Sequence, residues 1–307
     1  MRARVIKSTG NRCQVRTEKG DLRACRVPGK FRNQGLTTTN PVAVGDFVDV
    51  SQDGRGEWRV EHIHDRSNYL VRKSVNLSHQ KHIIASNIDQ AILVVTLEQP
   101  ETSTGFMDRF LVSCEAYDIP AVILFNKWDL YESASLDEFA YRKAVYEAAG
   151  YKVLISSVIS GEGMTELKDV VYGKTSLLGG HSGVGKSSLI NVLDPTVDLR
   201  VGDISTVHRK GQHTTTFAQM LFLDQLNAAI VDSPGIKGFG LVDMDASEIG
   251  DYFPEFFALK SQCRFHNCSH RNEPGCAVKQ ALDSDELPHT RYESYRSMLE
   301  GESDPYR

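Results

Sequence analysis

The sequence predicts a multidomain chain: an N-terminal β-barrel, a central α/β domain built on a parallel sheet, and a C-terminal, mainly α module that binds metal. Three observations predict it. Short strands broken by Gly, Pro and Asn fill the first ~70 residues. Beyond them, apolar strands alternate with helical stretches, the pattern of a parallel sheet covered on both faces. Three cysteines and a histidine then crowd into residues 263–276. The expected divisions fall at 1–69, 70–246 and 247–307.

A length of 307 residues gives room for two or three domains and for a core that needs no disulfides. The apolar fraction of 40% and mean hydropathy of −0.32 describe a globular chain. The longest apolar runs, 91–95 and 121–125, fall far below the ~18 residues of a membrane span. Met1-Arg2-Ala3-Arg4 leads into no apolar signal region, so a cytoplasmic chain with no membrane partner is expected. A formal net charge of −5 excludes a protein that is basic all over, but residues 1–35 carry ten lysines and arginines against Glu18 and Asp21, a local +8. Such a patch is the footprint of a phosphate-backbone partner, or else a solubilising face on a small barrel.

In the first part, strands are expected over 5–7, 12–17, 22–27 and 47–51. They are separated by Thr9-Gly10-Asn11, Lys19-Gly20-Asp21, a loop from Pro28 to Pro41, and a turn at Asp53-Gly54-Arg55-Gly56. An OB-fold, a five-stranded barrel that binds oligonucleotides, is the natural candidate. An SH3-like barrel would give the same strand pattern. In the second part, buried strands are expected over 88–96, 121–125, 153–156 and 175–179, with helices over 105–117, 137–150 and 164–171. A hairpin over 220–223 and 228–231, split by Asp224-Gln225-Leu226-Asn227, delivers Asp232. Past about residue 245 the chain turns polar and closes on a helix over 292–300.

The chemistry of the central domain is carried by motifs in an unusual order. Gly180-His181-Ser182-Gly183-Val184-Gly185-Lys186-Ser187 fits the phosphate loop G-x-x-x-x-G-K-[ST]. It sits between a strand and the helical start Ser188-Leu189-Ile190-Asn191, so loop amides and a helix N-terminus can cradle phosphates. Lys186 would reach the β and γ phosphates, and the Ser187 hydroxyl would ligate Mg²⁺. Asn126-Lys127-Trp128-Asp129 follows a strand, where ligands bind in such sheets. The Asp129 carboxylate can accept from guanine N1–H and the 2-amino group together, which adenine cannot offer. Ile155-Ser156-Ser157 fits a weaker motif in which backbone at Ser156 meets the guanine carbonyl.

Asp232-Ser233-Pro234-Gly235 ends an apolar strand, as a γ-phosphate sensor must; Asp232 would hold Mg²⁺ through water and the Gly235 N–H would contact the γ phosphate. Gly211-Gln212-His213-Thr214-Thr215-Thr216 can serve as switch I, with Thr215 favoured over Thr214 to complete the Mg²⁺ shell. Ile236 stands where many GTPases place a water-positioning glutamine. His213 is the nearest substitute, alongside the reading of a loop histidine with no catalytic role. An ordinary GTPase runs phosphate loop, switch I, switch II, then base motif. Here the base motif comes first, which is the order of a circularly permuted P-loop GTPase domain.

Six cysteines in a chain expected in the cytoplasm point to thiols or metal ligands. Cys263, Cys268, His270 and Cys276 form C-x4-C-x-H-x5-C, a Cys₃His set whose four ligands leave no open position, so a structural zinc is expected. His266 is a competing imidazole, but it would crowd the chelate. Cys13, Cys25 and Cys114 read as ordinary buried residues.

With these parts in place, the chain closely resembles the RsgA (YjeQ) family of bacterial GTPases that act in small ribosomal subunit biogenesis. The resemblance rests on Asn126 to Leu130, the phosphate loop through Asn191, the Gly211 to Thr216 stretch, the Asp232 to Gly235 motif and the Cys₃His set, and it covers nearly the whole chain. It implies an OB-fold, a permuted G domain and a zinc domain. It also implies a protein that binds GTP or GDP, the small subunit and its rRNA, hydrolyses GTP to GDP and phosphate under subunit stimulation, and leaves afterwards. A monomer is expected, since nothing in the sequence resembles a coiled coil. His213, in the family's switch I position, is implied to assist hydrolysis. His181 stands where the family more often has glutamine. Gly183 stands where potassium-activated GTPases carry asparagine, so potassium dependence gains no support. Two other functions compete: an RNA-binding scaffold with incidental hydrolysis, and a large-subunit GTPase, which would not need this barrel and zinc arrangement.

Overall fold

The structure, a computed structural model, describes residues 1–32, 40–73, 81–197, 199, 218–233, 242 and 244–301. Five strands build the N-terminal barrel: β1 (Arg2–Ser8), β2 (Arg12–Thr17), β3 (Leu22–Arg26), β4 (Phe47–Gln52) and β5 (Trp58–Ile63). Their order is β1-β2-β3-β5-β4, and β4 pairs back onto β1 to close the ring. β3 and β5 run parallel and the other neighbours antiparallel. Alternation decides which side faces in: Ala3, Val5, Cys13, Val15, Cys25, Val48, Val50 and Val60 fill the core, while the arginines between them point out. The barrel is the OB type, which settles the alternative. Its fifth strand is hidden in the sequence because Trp58-Arg59-Val60-Glu61-His62-Ile63 buries only Val60 fully.

A ribbon of β6 (Tyr69–Lys73) and β7 (Lys81–Ser86) leads out of the barrel. The central sheet follows with β8 (Gln90–Val95), β9 (Ala121–Phe125), β10 (Lys152–Ile155), β11 (Thr175–Gly179), β12 (Gln219–Leu223) and β13 (Ala228–Asp232). Its order is β10-β9-β8-β11-β13-β12, parallel except for the antiparallel edge strand β12. β8 is buried along its whole length because both faces are covered. Helices α1 (Thr104–Glu115) and α2 (Ser133–Ala148) pack Phe106, Phe110 and Tyr146 against Ala91, Leu93 and Val95 on one face. Helices α3 (Met164–Val171) and α4 (Lys186–Leu193) pack Leu167 and Leu189 against Ile92 and Val94 on the other. α2 starts four residues before its expected position because Ser133, Ala134 and Ser135, which read as turn residues, form its first turn.

The barrel is fused to this sheet. Lys7 of β1 pairs with Gln219 of β12, giving one sheet of eleven strands. The Arg4 guanidinium donates to the Thr175 hydroxyl at 3.0 Å and to the Asn87 carbonyl at 2.7 Å. The fully buried Asp46 carboxylate accepts two 2.7 Å bonds from Arg66 and one of 2.6 Å from Ser86 of β7. A buried carboxylate matched this way fixes orientation, since an unmatched charge there would be costly.

At the C-terminal end, α5 (Pro254–Lys260), α6 (Ala277–Asp283) and α7 (His289–Glu300) follow a 3-10 turn at Ile249–Tyr252. Their core of Phe253, Phe256, Val278 and Tyr295 includes Val112 from α1, so the module docks on the central domain. Arg291 of α7, 1% exposed, meets the fully buried Asp108 of α1 at 2.5 Å and Glu255 of α5 at 2.6 Å. Its guanidinium carbon sits 4.6 Å from the Phe253 ring centroid. No helix among the described residues is long and apolar enough to cross a membrane.

Candidate active site and metal centre

The phosphate loop leaves the C-terminal end of β11 and enters α4 at Lys186. Two glycines make its path affordable. Gly180, at φ +140°, would place a Cβ 2.3 Å from the Val94 carbonyl oxygen, and Gly185, at φ +98°, would place one 2.4 Å from the Asn126 amide nitrogen. No other residue fits either position. Lys186 is 8% exposed and donates to the Gly180 and His181 carbonyls at 2.8 Å each. Burial pulls its ammonium down to about 8, opposed by the nearby Asp232. Burial likewise pushes the Asp232 carboxyl up, with Lys186 opposing. An amine at the start of α4 and a carboxylate at the end of β13, both short of solvent, suit a ligand that brings its own charge: a metal-bound polyphosphate would favour the charged form of both. Ser187 and Ser188 are half-buried at the first turn of α4, with Ser182 and Gly183 exposed on the loop tip. The His181 ring stacks on Phe106 of α1, centroids 3.8 Å apart.

The base motif lies beside this loop. The Asn126 amide donates to the Val184 carbonyl at 2.7 Å, while its oxygen accepts from the Ser156 hydroxyl at 2.9 Å. Asn126 thereby ties three segments distant in sequence. Lys127 takes the left-handed conformation, φ +60°, and its ammonium donates to the Gln99 carbonyl. One oxygen of Asp129 accepts from the Ser157 hydroxyl, which also accepts from the Ile159 and Ser160 amides. The motif Ile155-Ser156-Ser157 includes Ser157 but points only to backbone contacts; the hold of the Ser157 hydroxyl on Asp129 depends on the fold and not on spacing.

Asp232 closes β13 opposite Leu178 of β11, and Ser233 donates to the Leu178 carbonyl at 2.9 Å. Asn126, Asp129, Ser156, Lys186 and Asp232 thus gather at one edge of the parallel sheet, the C-terminal ends of β9, β10, β11 and β13. His213, Thr214, Thr215, Gly235 and Ile236 lie outside the described residues.

In the C-terminal module the ligand atoms of Cys263, Cys268, His270 and Cys276 all lie within 4.8 Å of one another. His270 Nδ1 stands 3.7 Å from Cys263 Sγ and 3.4 Å from Cys276 Sγ. Tetrahedral zinc with ordinary Zn–S and Zn–N bonds requires sulfur–nitrogen edges of about 3.5 Å, so the donor set fits that ion in number, chemistry and spacing. Supporting contacts hold the loop: the Tyr292 hydroxyl donates to the His270 carbonyl at 2.8 Å, and Tyr295 donates to the Ser269 carbonyl at 2.6 Å. Glu273 accepts from the Ser269, Arg271 and Asn272 amides. His266 is not in the cluster.

The basic stretch is divided by the fold. Arg4 is taken up by the barrel junction, and Arg16 lies over the Phe222 ring of β12 at 4.0 Å. Arg23 pairs with Asp21 at 3.2 Å, and Lys30 donates to the Glu61 carbonyl at 3.2 Å. The sequence count of ten cations therefore overstates the free positive surface.

The family model described as RsgA GTPase matches residues 63–242, and that described as RsgA N-terminal domain matches 3–58. A protein of Christiangramia forsetii named small ribosomal subunit biogenesis GTPase RsgA is 53% identical, over 100% of this chain and 98% of its own length. A namesake from Bacteroides fragilis is 48% identical over 98% of this chain and 96% of its own. The crystal structure of YjeQ from Thermotoga maritima superposes with a TM-score of 0.78 at 35% identity, covering 98% of this chain and 97% of the other. YloQ, described as a circularly permuted GTPase, superposes with a TM-score of 0.72 at 29% identity, covering 98% and 94%. A phosphate loop that follows its base motif, on a sheet fused to a closed barrel and matched over its full length, leaves one conclusion: this chain is a GTPase and belongs to the RsgA family.

Proposed function

We propose that this GTPase acts on the small ribosomal subunit late in its assembly, binding with GTP and leaving after hydrolysis to GDP and phosphate. The observation that carries the reading is the fusion of both flanking modules to the nucleotide-binding domain. The barrel is stitched on through Lys7 and Gln219, and the metal module is docked through Arg291 and Asp108. A nucleotide-dependent change in the central domain has two RNA-sized surfaces to act on, and weakening both together lowers affinity steeply. The names of the relatives supply the partner class.

Within the site, the loop amides from Gly180 to Ser188 and the Lys186 ammonium would hold the phosphates. Asp129, steadied by Ser157, would read guanine, with Lys127 and the Ser156 backbone beside it. Asn126 holds the base segment against the phosphate loop. Ser187, Thr215 and Asp232 would hold Mg²⁺, which when bound neutralises charge on the β and γ phosphates. His213 would orient the attacking water in the absence of a glutamine, and the Gly235 N–H would report the γ phosphate. Cys263, Cys268, His270 and Cys276 would hold one structural zinc.

GTP turnover measured with purified small and large subunits side by side tests this. Stimulation by the small subunit alone is expected. Stimulation by the large subunit would redirect the assignment, and binding to small subunits with no stimulation would favour an RNA-binding scaffold.

A further inference from the structure

Between the barrel and the central domain lies a cleft of about 580 Å³ that takes no part in the nucleotide site. Arg2, Arg4, Arg16 and Lys19 line it with Phe47 and Phe222, and Glu18 is the one carboxylate in the lining. The positive side chains come from β1, from β2 and from the turn after it; Phe222 comes from β12 of the central sheet. Register explains the crowding: Arg4 stands directly opposite Arg16 on one side and Phe47 on the other. Like charges directly opposed across strands are destabilising on their own.

The compensation within the chain is incomplete. Arg16 reaches only Asp224, at 3.6 Å, and that carboxylate is 82% exposed. Arg4 Nε is buried with no hydrogen-bond partner. The guanidinium carbons of Arg2 and Arg4 both stand 5.0 Å from the Phe47 ring centroid, and that of Arg16 stands 4.0 Å from the Phe222 ring centroid. Arginines laid on aromatic rings are held flat with little freedom left to lose, the arrangement that receives phosphates and stacks on unpaired bases.

We propose that this junction cleft is a second phosphate-recognition site, separate from the phosphate loop, that takes the backbone of single-stranded RNA. The site rests on the small-subunit reading given above. It belongs to both domains, because Phe222 of β12 lines it beside the arginines of β1 and β2. Phe222 stands opposite Ala229 and Arg4 bonds to Thr175, so the cleft lies at the end of the sheet away from the phosphate loop.

The test compares three full-length proteins, each saturated with a non-hydrolysable GTP analogue, for sedimentation with purified small subunits. They are the wild type, a cleft variant carrying Arg2→Glu and Lys19→Glu, and a control of equal charge change carrying Lys152→Glu and Lys168→Glu. Circular dichroism verifies that each is folded. The cleft variant is expected to bind on the order of tenfold or more weakly than the control, with a salt dependence shallower by about two phosphate contacts. Equal binding by the cleft and control variants overturns the proposal while leaving the small-subunit reading intact. Failure of the wild type to bind small subunits defeats that reading, and the cleft assignment with it. A free nucleotide is distinguished by titrating GMP into GDP-saturated protein: a second molecule bound by the wild type and lost in the cleft variant, with subunit binding unchanged, would assign the cleft to nucleotides and overturn RNA.

Discussion

Binding of GTP should draw protons from solution, and the amount follows from the burial of Lys186. Its ammonium is pulled down to about 8 from an ordinary 10.5 by burial, with Asp232 opposing. A folded pKa below the unfolded one means that the charged amine costs stability below about pH 8, roughly 3 kcal/mol, and that the cost disappears as pH rises past 10.5. Phosphates placed against the amine reverse the balance and restore its charge. At pH 8 about half the lysines are neutral before binding, so uptake should be about 0.5 proton per GTP, falling to about 0.1 at pH 7 and approaching 0.9 at pH 9. The phosphate contributes little there, since its last ionisation lies near pH 6. Calorimetric titration in two buffers of different ionisation enthalpy measures the uptake directly. Affinity should decline as pH rises from 8 to 9. Binding heats that are identical in both buffers at pH 8 would refute the reasoning.

Three further outcomes are expected. Asp129→Asn should move preference from GTP towards xanthosine triphosphate by about 100-fold or more, because an amide can donate to the 2-oxo group; competition binding that shows the original margin for GTP would place the base reader elsewhere. Cys268→Ala should drop zinc from one equivalent to below about half by metal analysis and loosen the C-terminal module, while nucleotide binding survives on its own core. Asp108→Ala should destabilise the docked module by about 3–5 kcal/mol in denaturant unfolding, since Arg291 keeps its charge in a buried site with Glu255 alone.

The motifs of the candidate nucleotide site are legible because their residues are local in sequence. The phosphate loop needs particular residues at fixed spacing, and a strand and a helix flanked it in the sequence as they do in the structure. The Cys₃His set was legible for the same reason. What stayed hidden depends on distant partners. β5 carries too few inward apolar residues to announce itself, and β6 and β7 are short and flanked by polar residues. No spacing rule links Lys7 with Gln219, or Asp108 with Arg291, 183 positions apart. The charge of residues 1–35 is legible as a sum but its distribution is not, because register alone decides that Arg4 turns into the junction.

The Asp108–Arg291 contact bears on function beyond stability. In the rotated chain order the C-terminal module follows Asp232 and Gly235 in sequence, and its contacts with α1 fix how it sits on the central domain. Apolar packing of Val112 and Phe253 is tolerant of angle, whereas a fully buried arginine answering carboxylates from α1 and α5 is satisfied in one arrangement only. The same α1 carries Phe106 against His181 of the phosphate loop, so the helix that receives the module also touches the nucleotide site. If orientation is the gain, Asp108→Ala with Arg291→Met should recover part of the stability lost in Asp108→Ala, because the two fully buried charges leave together and only Glu255, 14% exposed, stays without its partner. The proposed stimulation of GTP turnover by small subunits should nonetheless stay low in that double variant, since the module is docked but no longer aligned. Full recovery of both stability and stimulation would show that the triad serves only to hold the module on, and that its angle carries no information.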